Sequence, residues 1–316
     1  MCVGFWSLEH PEYALVLCSN RDEYLSRPTA AAHFHSFQHL VATGRDVPPE
    51  QEDAQLPVLS GRDLRAGGTW LGMTRAGRVA LLTNITEEPK HYDSTRGHLV
   101  SSFLLPEESE TTLQEHVDVI ERENIPYAGF NLLLLSPSFN HTEADQHEIV
   151  SYEATYVTNS GGGGDIKVRH LQKSERICGG MSNGVDGHGA DSWPKVKHGT
   201  ELFDEVLKST TTAKVTDEAL SDWLFNLLTW QCEGGPPNDR SQLRNTIHVA
   251  PFSVSASKHP EGKEDFYGTR LSTVILVHRD GHVTFVERDI WVLDEEGKVK
   301  RADANSQRVF KFQLSR

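Results

Sequence analysis

Short apolar runs that stop abruptly at polar residues mark the first part of the chain. Residues 2–6 form an apolar opening, and the apolar run over residues 13–18 passes directly into a polar run that ends at Glu23. Each run has the length of a β-strand, and the segment His10-Pro11-Glu12 between them suits a hairpin turn. The pattern predicts an antiparallel strand pair in which the polar end of the second strand lies beside Cys2.

The same patterns predict the remaining elements. Strands are predicted near residues 2–7, 13–19, 69–74, 78–84, 129–135, 148–153, 247–250, 270–278 and 283–290, and helices near residues 96–104, 111–122, 193–208 and 217–230. In the last helix, cap candidates Thr216 and Asp217 precede an apolar stripe that we expect in the core. The stripe consists of Leu220, Trp223, Leu224, Leu227, Leu228 and Trp230. Strands grouped toward both ends, with helices between them, indicate an α+β fold.

The composition fits one globular domain. A chain of 316 residues with 37% hydrophobic content can bury a sizeable core. No internal repeat is apparent, and no segment reads as a linker between two cores, so we expect a single domain over residues 1–316. Segments 48–55, 161–165 and 234–240, rich in proline, glycine or acidic residues, are predicted to be surface loops.

Charge and composition disfavour several classes of function. A formal net charge of −14 argues against nucleic-acid binding, which needs a concentrated basic face. No apolar run approaches the ~20 residues of a membrane span, so any membrane association is expected to be peripheral. The N-terminus lacks a secretory or mitochondrial signal pattern, which favours a cytoplasmic protein that is not secreted.

The cysteines and histidines do not indicate a metal site. The four cysteines have no metal-ligand spacing, which is typical of reduced thiols: Cys2, Cys18, Cys178 and Cys232. His33 and His35 share one face if they lie in a strand, with His39 nearby, but no carboxylate or cysteine stands at a diagnostic spacing. We therefore expect these histidines on a solvated surface, and we expect no metal site and no required cofactor.

Cys2 follows Met1 directly. Removal of Met1 would expose a thiol on the same residue as a free α-amino group. An α-amino group titrates near ~7.7–8.0 and a thiol near ~8.5, so the two can exchange a proton at neutral pH. This arrangement combines nucleophile and base in one residue, as in N-terminal nucleophile chemistry.

The polar run contains the NRDE motif Asn20-Arg21-Asp22-Glu23. With Cys2, this motif makes the chain resemble the Transport and Golgi organisation protein 2 family, also called the NRDE family. Further matching segments follow in order over most of the chain: residues 61–63, 67–72, 83–84, 94–100, 129–132, 181–184, 192–195 and 267–270.

The resemblance implies a fold and a set of roles. The family is distantly similar to the choloylglycine hydrolase and penicillin V acylase type of N-terminal nucleophile hydrolase, which implies an α+β fold, a four-layer αββα sandwich. By this likeness Cys2 is the nucleophile and Asp22 orients its amino group. Asn84 and Asn183 correspond to oxyanion donors, and Arg270 to the arginine that completes the site.

One position departs from the hydrolase pattern. Those enzymes carry an arginine three residues before the aspartate, where this chain has Ser19. Arg21 lies one residue before Asp22. It projects from the same strand face as Ser19, about 6.6 Å further along the strand. This displacement favours a role for Arg21 toward an anionic ligand.

Two functions therefore remain open. The family resemblance implies secretory trafficking, Golgi organisation and intracellular lipid or haem handling, in the cytoplasm with association to Golgi or mitochondria. In that hypothesis Asn20, Arg21, Asp22 and Glu23 bind a small amphipathic anion, acyl-CoA or haem. The alternative is an amidohydrolase or thioesterase that uses Cys2 on an acyl amide or thioester. The oligomeric state is left open.

Overall fold

The computed structural model describes residues 2–37, 56–88, 90–105, 111–142, 145–212, 214–233, 237, 239–255, 262, 264–303 and 305–315. The chain divides into two compact units. The first comprises Met1–Arg27 and Gln172–Lys311, and the second comprises Pro28–Leu171 and Phe312–Arg316. The loop predicted at residues 48–55, most of the loop at 234–240, and His39 lie outside the described residues.

The first unit is built on a seven-stranded sheet with the order β10-β1-β2-β12-β13-β16, in which β11 also pairs with β12. Its strands are β1 (Val3–Ser7), β2 (Tyr13–Tyr24), β10 (Gly179–Met181), β11 (Phe252–Val254), β12 (Asp265–His278), β13 (His282–Asp289) and β16 (Arg308–Gln313), and a separate hairpin joins β14 (Trp291–Leu293) to β15 (Val299–Arg301). Its helices are α3 (Lys173–Ile177), α4 (Pro194–Thr212), α5 (Asp217–Leu227) and the 3-10 helix Arg240–Asn245.

Helices α4 and α5 cover one face of this sheet. Side chains of β1, β2, β12 and β13 form a buried apolar cluster with both helices. At its centre the rings of Phe5 and Phe203 stack with centroids 6.2 Å apart. Gly199 permits this close approach, because a Cβ atom there would lie 2.1 Å from the Phe5 ring.

The second unit is built on another seven-stranded sheet with the order β3-β4-β5-β6-β7-β8-β9, all neighbours antiparallel. Its strands are β3 (Thr29–His35), β4 (Val58–Asp63), β5 (Leu71–Thr74), β6 (Val79–Asn84), β7 (Phe130–Thr142), β8 (Asp145–Thr158) and β9 (Lys167–His170). Helices α1 (Arg96–Leu104) and α2 (Leu113–Glu123) bury their apolar faces against β6 and β7.

The α+β fold predicted from the sequence is confirmed. The two sheets, each covered by helices of its own unit, are the layers that an αββα sandwich requires. The prediction of one domain over residues 1–316 stays a prediction. No helix among the described residues is long and apolar enough to cross a membrane.

Most predicted elements are observed, and several strands extend further than expected. The helix predicted at 96–104 is Arg96–Leu104, and the strand predicted at 129–135 extends to Thr142. The segment 161–165 is irregular, as predicted for a loop.

Two predictions about apolar segments are wrong. Residues 247–250 form no strand, although Ile247 and Val249 are fully buried. The segment is held by irregular bonds, the His248 amide donating to the Trp230 carbonyl and the Val249 amide to Thr269 Oγ1. Trp223, placed in the apolar stripe of α5, is 39% exposed.

Candidate functional site

The hairpin of β1 and β2 brings the NRDE motif beside Cys2. The register pairs Val3 with Asn20, so the chain before Val3 continues toward Arg21 and Asp22. The backbone amide of Asp22 donates a hydrogen bond to the Cys2 thiol. The predicted position of Cys2 beside the polar strand end is thereby confirmed.

The surroundings of Cys2 favour its protonated thiol. Burial is the main cause that raises the pKa of Cys2, and the neighbouring Asp22 carboxylate raises it further. The positive charge of the N-terminus, the Asp22 amide and the Arg21 guanidinium act in the opposite direction. A nucleophilic role at neutral pH therefore requires a group that takes the thiol proton.

Asp22 is held on its side-chain and main-chain oxygens. Thr269 Oγ1 donates to Asp22 Oδ1 at 2.6 Å and itself accepts from the Val249 amide at 2.9 Å. The Tyr267 hydroxyl donates to the Asp22 carbonyl at 2.9 Å. Asp22 and Thr269 are both buried. The carboxylate therefore has a fixed orientation, and the segment around Val249 contributes to it through Thr269.

Asn183 is brought next to the Cys2 backbone. Strand β10 pairs with β1 so that Met181 lies opposite Gly4, and Ser182 and Asn183 continue past that pair. Ser182 Oγ lies 2.8 Å from the Cys2 carbonyl oxygen and 3.1 Å from Asn183 Oδ1. A buried amide beside the thiol residue fits the predicted oxyanion role of Asn183, which stays a prediction.

Asn20 holds two distant parts of the first unit together. Its Nδ2 donates to the carbonyl oxygens of Leu228, at 2.9 Å, and Ile247, at 3.1 Å. Its Oδ1 accepts from Ser272 Oγ at 2.5 Å. Asn20 thus fixes the end of α5 and the segment leading to Val249 against the sheet.

Arg270 occupies a bulge beside the motif. Thr269 pairs with Asp22 and Leu271 pairs with Arg21, so Arg270 is one extra residue in β12. Its guanidinium donates to the carbonyl oxygens of Tyr24, at 3.4 Å, and Arg27. Burial, followed by the positive charge of Arg21, lowers the pKa of Arg270 to about 10. The guanidinium groups of Arg21 and Arg270 are therefore close enough to act on each other, and Arg21 also acts on Cys2.

Glu23, the last residue of the motif, moderates this positive charge. Its Oε1 accepts from the Tyr24 amide at 2.9 Å, and its Oε2 lies 4.0 Å from Arg27 Nε. Its carboxylate also acts on Arg270, where it favours the charged guanidinium.

Asn84 belongs to the second unit. It ends β6, opposite Phe130 of β7, and is partly buried. Its predicted role as an oxyanion donor stays a prediction.

Residues 1–291 match the family model described as Transport and Golgi organisation 2. The chain belongs to this family. The bovine "Transport and Golgi organization protein 2 homolog" is 28% identical over 300 residues, covering 92% of this chain and 93% of the relative. The Drosophila melanogaster "Transport and Golgi organization protein 2" is 27% identical over 307 residues, covering 94% and 95%.

Among solved structures, the mutant C2A conjugated bile acid hydrolase from Clostridium perfringens is similar to this Transport and Golgi organisation 2 family member. It is 11% identical, with a TM-score of 0.47, and covers 100% of this chain and 98% of the other.

Sequence reasoning missed two buried residues of the Transport and Golgi organisation 2 site. Thr269 and Lys195 both lie within matching segments, but the sequence gave no reason to assign either a role. Lys195 is fully buried at the start of α4. Burial lowers its pKa, whereas the negative charges of Asp22 and Cys2 raise it. The signal that could have found it is Pro194, which favours the first position of a helix and places Lys195 in its first turn.

The histidine prediction is wrong for His35. His35 is buried and its Nε2 lies 2.8 Å from Ser60 Oγ, and burial lowers its pKa to about 3. His33 is exposed, as expected. The described residues contain no group of three or more His, Cys, Asp or Glu side chains arranged to hold a metal ion.

Proposed function

We propose that this Transport and Golgi organisation 2 family member binds an amphipathic anion, acyl-CoA or haem, beside Cys2. The observation that carries the proposal is the proximity of Arg21 and Arg270, close enough that the charge of one lowers the pKa of the other. Arg21 is buried and Arg270 is partly buried, so holding their like charges close together is costly, and an anion placed between them offsets that cost. Guanidinium groups bind phosphate and carboxylate oxygens through paired N–H donors.

The two ligands share the required chemistry. Acyl-CoA joins phosphates to an acyl chain, and haem joins two carboxylates to an apolar macrocycle. The arginines support the anionic part of either ligand. The apolar part is proposed from the lipid or haem handling that the family resemblance implies.

Binding is tested by titrating purified protein with palmitoyl-CoA, free CoA and haem. Because a charge-assisted hydrogen bond contributes about 1.5–3 kcal/mol, we expect Arg270→Met to raise the Kd about tenfold or more. Arg288→Met is the matched control, since Arg288 lies in β13 of the same sheet and pairs with exposed Asp222 of α5. Equal affinities of wild type and Arg270→Met, with both proteins folded, would contradict the proposal.

A second candidate is hydrolysis of an acyl amide or thioester by Cys2. It is favoured by the hydrogen bond from the Asp22 amide to the thiol and by the position of Asn183. In this reaction the α-amino group freed by removal of Met1 takes the thiol proton, and the sulfur attacks the acyl carbonyl. Asn183 donates to the oxyanion, and the leaving amine or thiol takes the proton. Water then cleaves the acyl-enzyme thioester and releases the acid.

Hydrolysis and binding are separated by Cys2→Ala. If the chain only binds, the variant retains palmitoyl-CoA affinity and wild type releases no free CoA. If it hydrolyses, wild type releases CoA with a transient acyl adduct on Cys2 in the intact mass, and Cys2→Ala does neither. Intact mass also reads whether Met1 has been removed.

The names of its relatives refer to transport and Golgi organisation, and we propose the same cellular role for this protein. We propose that it acts in the cytoplasm and associates peripherally with Golgi or mitochondria. Rescue of a knock-out cell line tests this role. Wild type is expected to restore secretion of a reporter protein, and Arg270→Met at equal abundance is not. Full rescue by Arg270→Met would separate the cellular role from the anion site.

A further inference from the structure

Lys195 is a lysine with no exposure to solvent. Its relative exposure is 0%, and it is among the largest fully buried side chains of the described chain. Burial of an ammonium group costs several kcal/mol unless an opposite charge or hydrogen bonds offset it. A fully buried lysine therefore calls for a negative partner.

The packing of α4 places Lys195 on the sheet-facing side of the helix. Residues 195, 199 and 203 follow each other at a spacing of four, so they share one face of α4. Gly199 and Phe203 both contact Phe5 of β1. Lys195 lies one turn before Gly199, over the same sheet.

Asp22 lies on the sheet face that the helices cover. Successive side chains of a strand alternate between faces, so Asp22 shares a face with Asn20 and Cys18. Cys18 belongs to the core formed with α4 and α5, and Asn20 donates to the carbonyl oxygen at the end of α5. Lys195 and Asp22 are thus on the same side of the sheet, and both are buried.

The charges of the neighbourhood agree with this geometry. Burial lowers the pKa of Lys195, and Asp22 first, then Cys2, oppose that change. Asp22 in turn raises the pKa of Cys2. The ammonium, the carboxylate and the thiol therefore act on one another.

We propose that Lys195 is a positioning residue that pairs with the Asp22 carboxylate and thereby offsets its negative charge beside the Cys2 sulfur. The inference deepens the proposed function, because it concerns the same site. With the pair intact, thiolate formation at Cys2 meets a carboxylate whose charge is balanced. With Lys195 neutralised, the thiolate forms next to an unbalanced carboxylate.

Other groups also face this pair. Arg21 of β2 lowers the pKa of Cys2. Burial raises the pKa of Tyr267 in β12, and the negative charges of Asp22 and Cys2 raise it further. His248 is affected by Asp22, but burial lowers its pKa to about 4, so it is neutral at neutral pH. The positive charge of the N-terminus and that of Arg21 both lower the pKa of Cys2, so Lys195→Met removes only part of the positive charge that acts on the thiol.

The test is the pH dependence of iodoacetamide alkylation at Cys2, read by peptide mass spectrometry in protein whose N-terminal residue is known. We expect Lys195→Met to raise the midpoint by about one pH unit and to slow alkylation at pH 7.5 about tenfold. Asp22→Asn is expected to lower the midpoint, and the double variant to return within threefold of the wild-type rate. Cys178 in the same sample is the internal control, since the charges that act on its thiol are those of Asp204 and Lys208.

A role in packing alone predicts a different result. The inference would be overturned if folded Lys195→Met were alkylated at Cys2 at the wild-type rate. It would also be overturned if the rate were slowed in Lys195→Met and adding Asp22→Asn did not restore it. If Lys195→Met does not fold, thermal unfolding compares Asp22→Asn with the double variant. Removing the unpaired ammonium should then raise the melting temperature, and a lower one would contradict the pair. The readout needs no ligand, so failure of acyl-CoA or haem to bind leaves it intact.

Discussion

Thr269 Oγ1 donates to Asp22 Oδ1 at 2.6 Å while accepting from the Val249 amide at 2.9 Å. One hydroxyl group thus joins the NRDE carboxylate to a segment that forms no strand or helix. Both hydrogen bonds lie in the buried interior, where an unsatisfied partner is costly. The orientation of Asp22 depends on this hydroxyl as well as on its own strand.

Thr269→Val tests that dependence with almost no change of volume. The variant leaves the Val249 amide without its acceptor and the Asp22 carboxylate without one donor. We expect the free energy of unfolding to fall by about 1–3 kcal/mol, measured by urea denaturation. Thr229→Val, at an exposed hydroxyl that bonds a carbonyl, is the control and should change stability by less than about 0.5 kcal/mol. An equal loss of stability in the two variants would argue against a special contribution from the two buried hydrogen bonds of Thr269.

Asn20→Ala is expected to act mainly on stability. Its amide serves the carbonyl oxygens of Leu228 and Ile247 and accepts from Ser272, and all three groups lose a partner together. We expect a loss of about 2–4 kcal/mol in urea unfolding. The control is Asn140→Ala, since the exposed Asn140 side chain donates to Ser151 Oγ at 2.9 Å on the surface. A folded Asn20→Ala of wild-type stability that no longer binds ligand would assign Asn20 to the ligand instead.

Gly199→Ala should destabilise the protein, although alanine is favoured over glycine in helices by about 1 kcal/mol. The new Cβ atom would stand 2.1 Å from the Phe5 ring, so either the ring must shift within the core or α4 must move away from β1. We expect a net loss of about 1–3 kcal/mol, read as a lower melting temperature. Ser209→Ala, on the exposed side of the same helix, should be neutral or stabilising. A higher melting temperature for Gly199→Ala would show that the packing between α4 and Phe5 accommodates the added methyl group.

Stability at acidic pH should depend on Asp217. Its carboxylate accepts from Tyr13 at 2.8 Å, His278 at 2.8 Å and Thr284 at 2.5 Å, and although burial opposes them, these bonds lower its pKa to about 2. A lowered pKa in the folded state gives stability that is complete above the unfolded value of 3.8 and is lost as pH falls toward 2. Because the group is half-buried, we expect about 1–2 kcal/mol, absent in Asp217→Asn.

The stability contributed by His278, the partner of Asp217, depends on pH in the opposite direction. Its hydrogen bond to Asp217 is the main cause that raises its pKa above 6.5. Its contribution is therefore complete below pH 6.5 and is lost as pH rises through the folded value. Urea unfolding of wild type and His278→Gln between pH 5 and 9 measures this. Their stability difference should shrink as pH rises, and a constant difference would contradict the ion pair.

The parts of the site that lie close in sequence were predictable. The Cys2 hairpin followed from two apolar runs and a turn, because local alternation determines strand pairing over such a short loop. Asn183 was reached only through the family resemblance, since nothing in its own segment shows that β10 pairs with β1.

Burial accounts for most of what the sequence did not show. Residues 247–250 are apolar except for His248 because they lie in the interior, and not because they belong to a sheet. His35 and Lys195 have polar side chains that a sequence pattern assigns to the surface, whereas the structure buries both beside polar groups. A pattern of residue types does not show which distant group will neutralise a buried charge.

Because Arg270 lies in a bulge, the positive charge of the site can change without a change in the register of the sheet. Since Thr269 and Leu271 pair with adjacent residues of β2, the strand on either side of Arg270 already has the register of a regular ladder. Deletion of this one residue would close the ladder and keep every neighbouring side chain on its present face, whereas deletion elsewhere in β12 would turn its apolar side chains outward. A single inserted or deleted residue can therefore add or remove a guanidinium group here while the core is inherited unchanged.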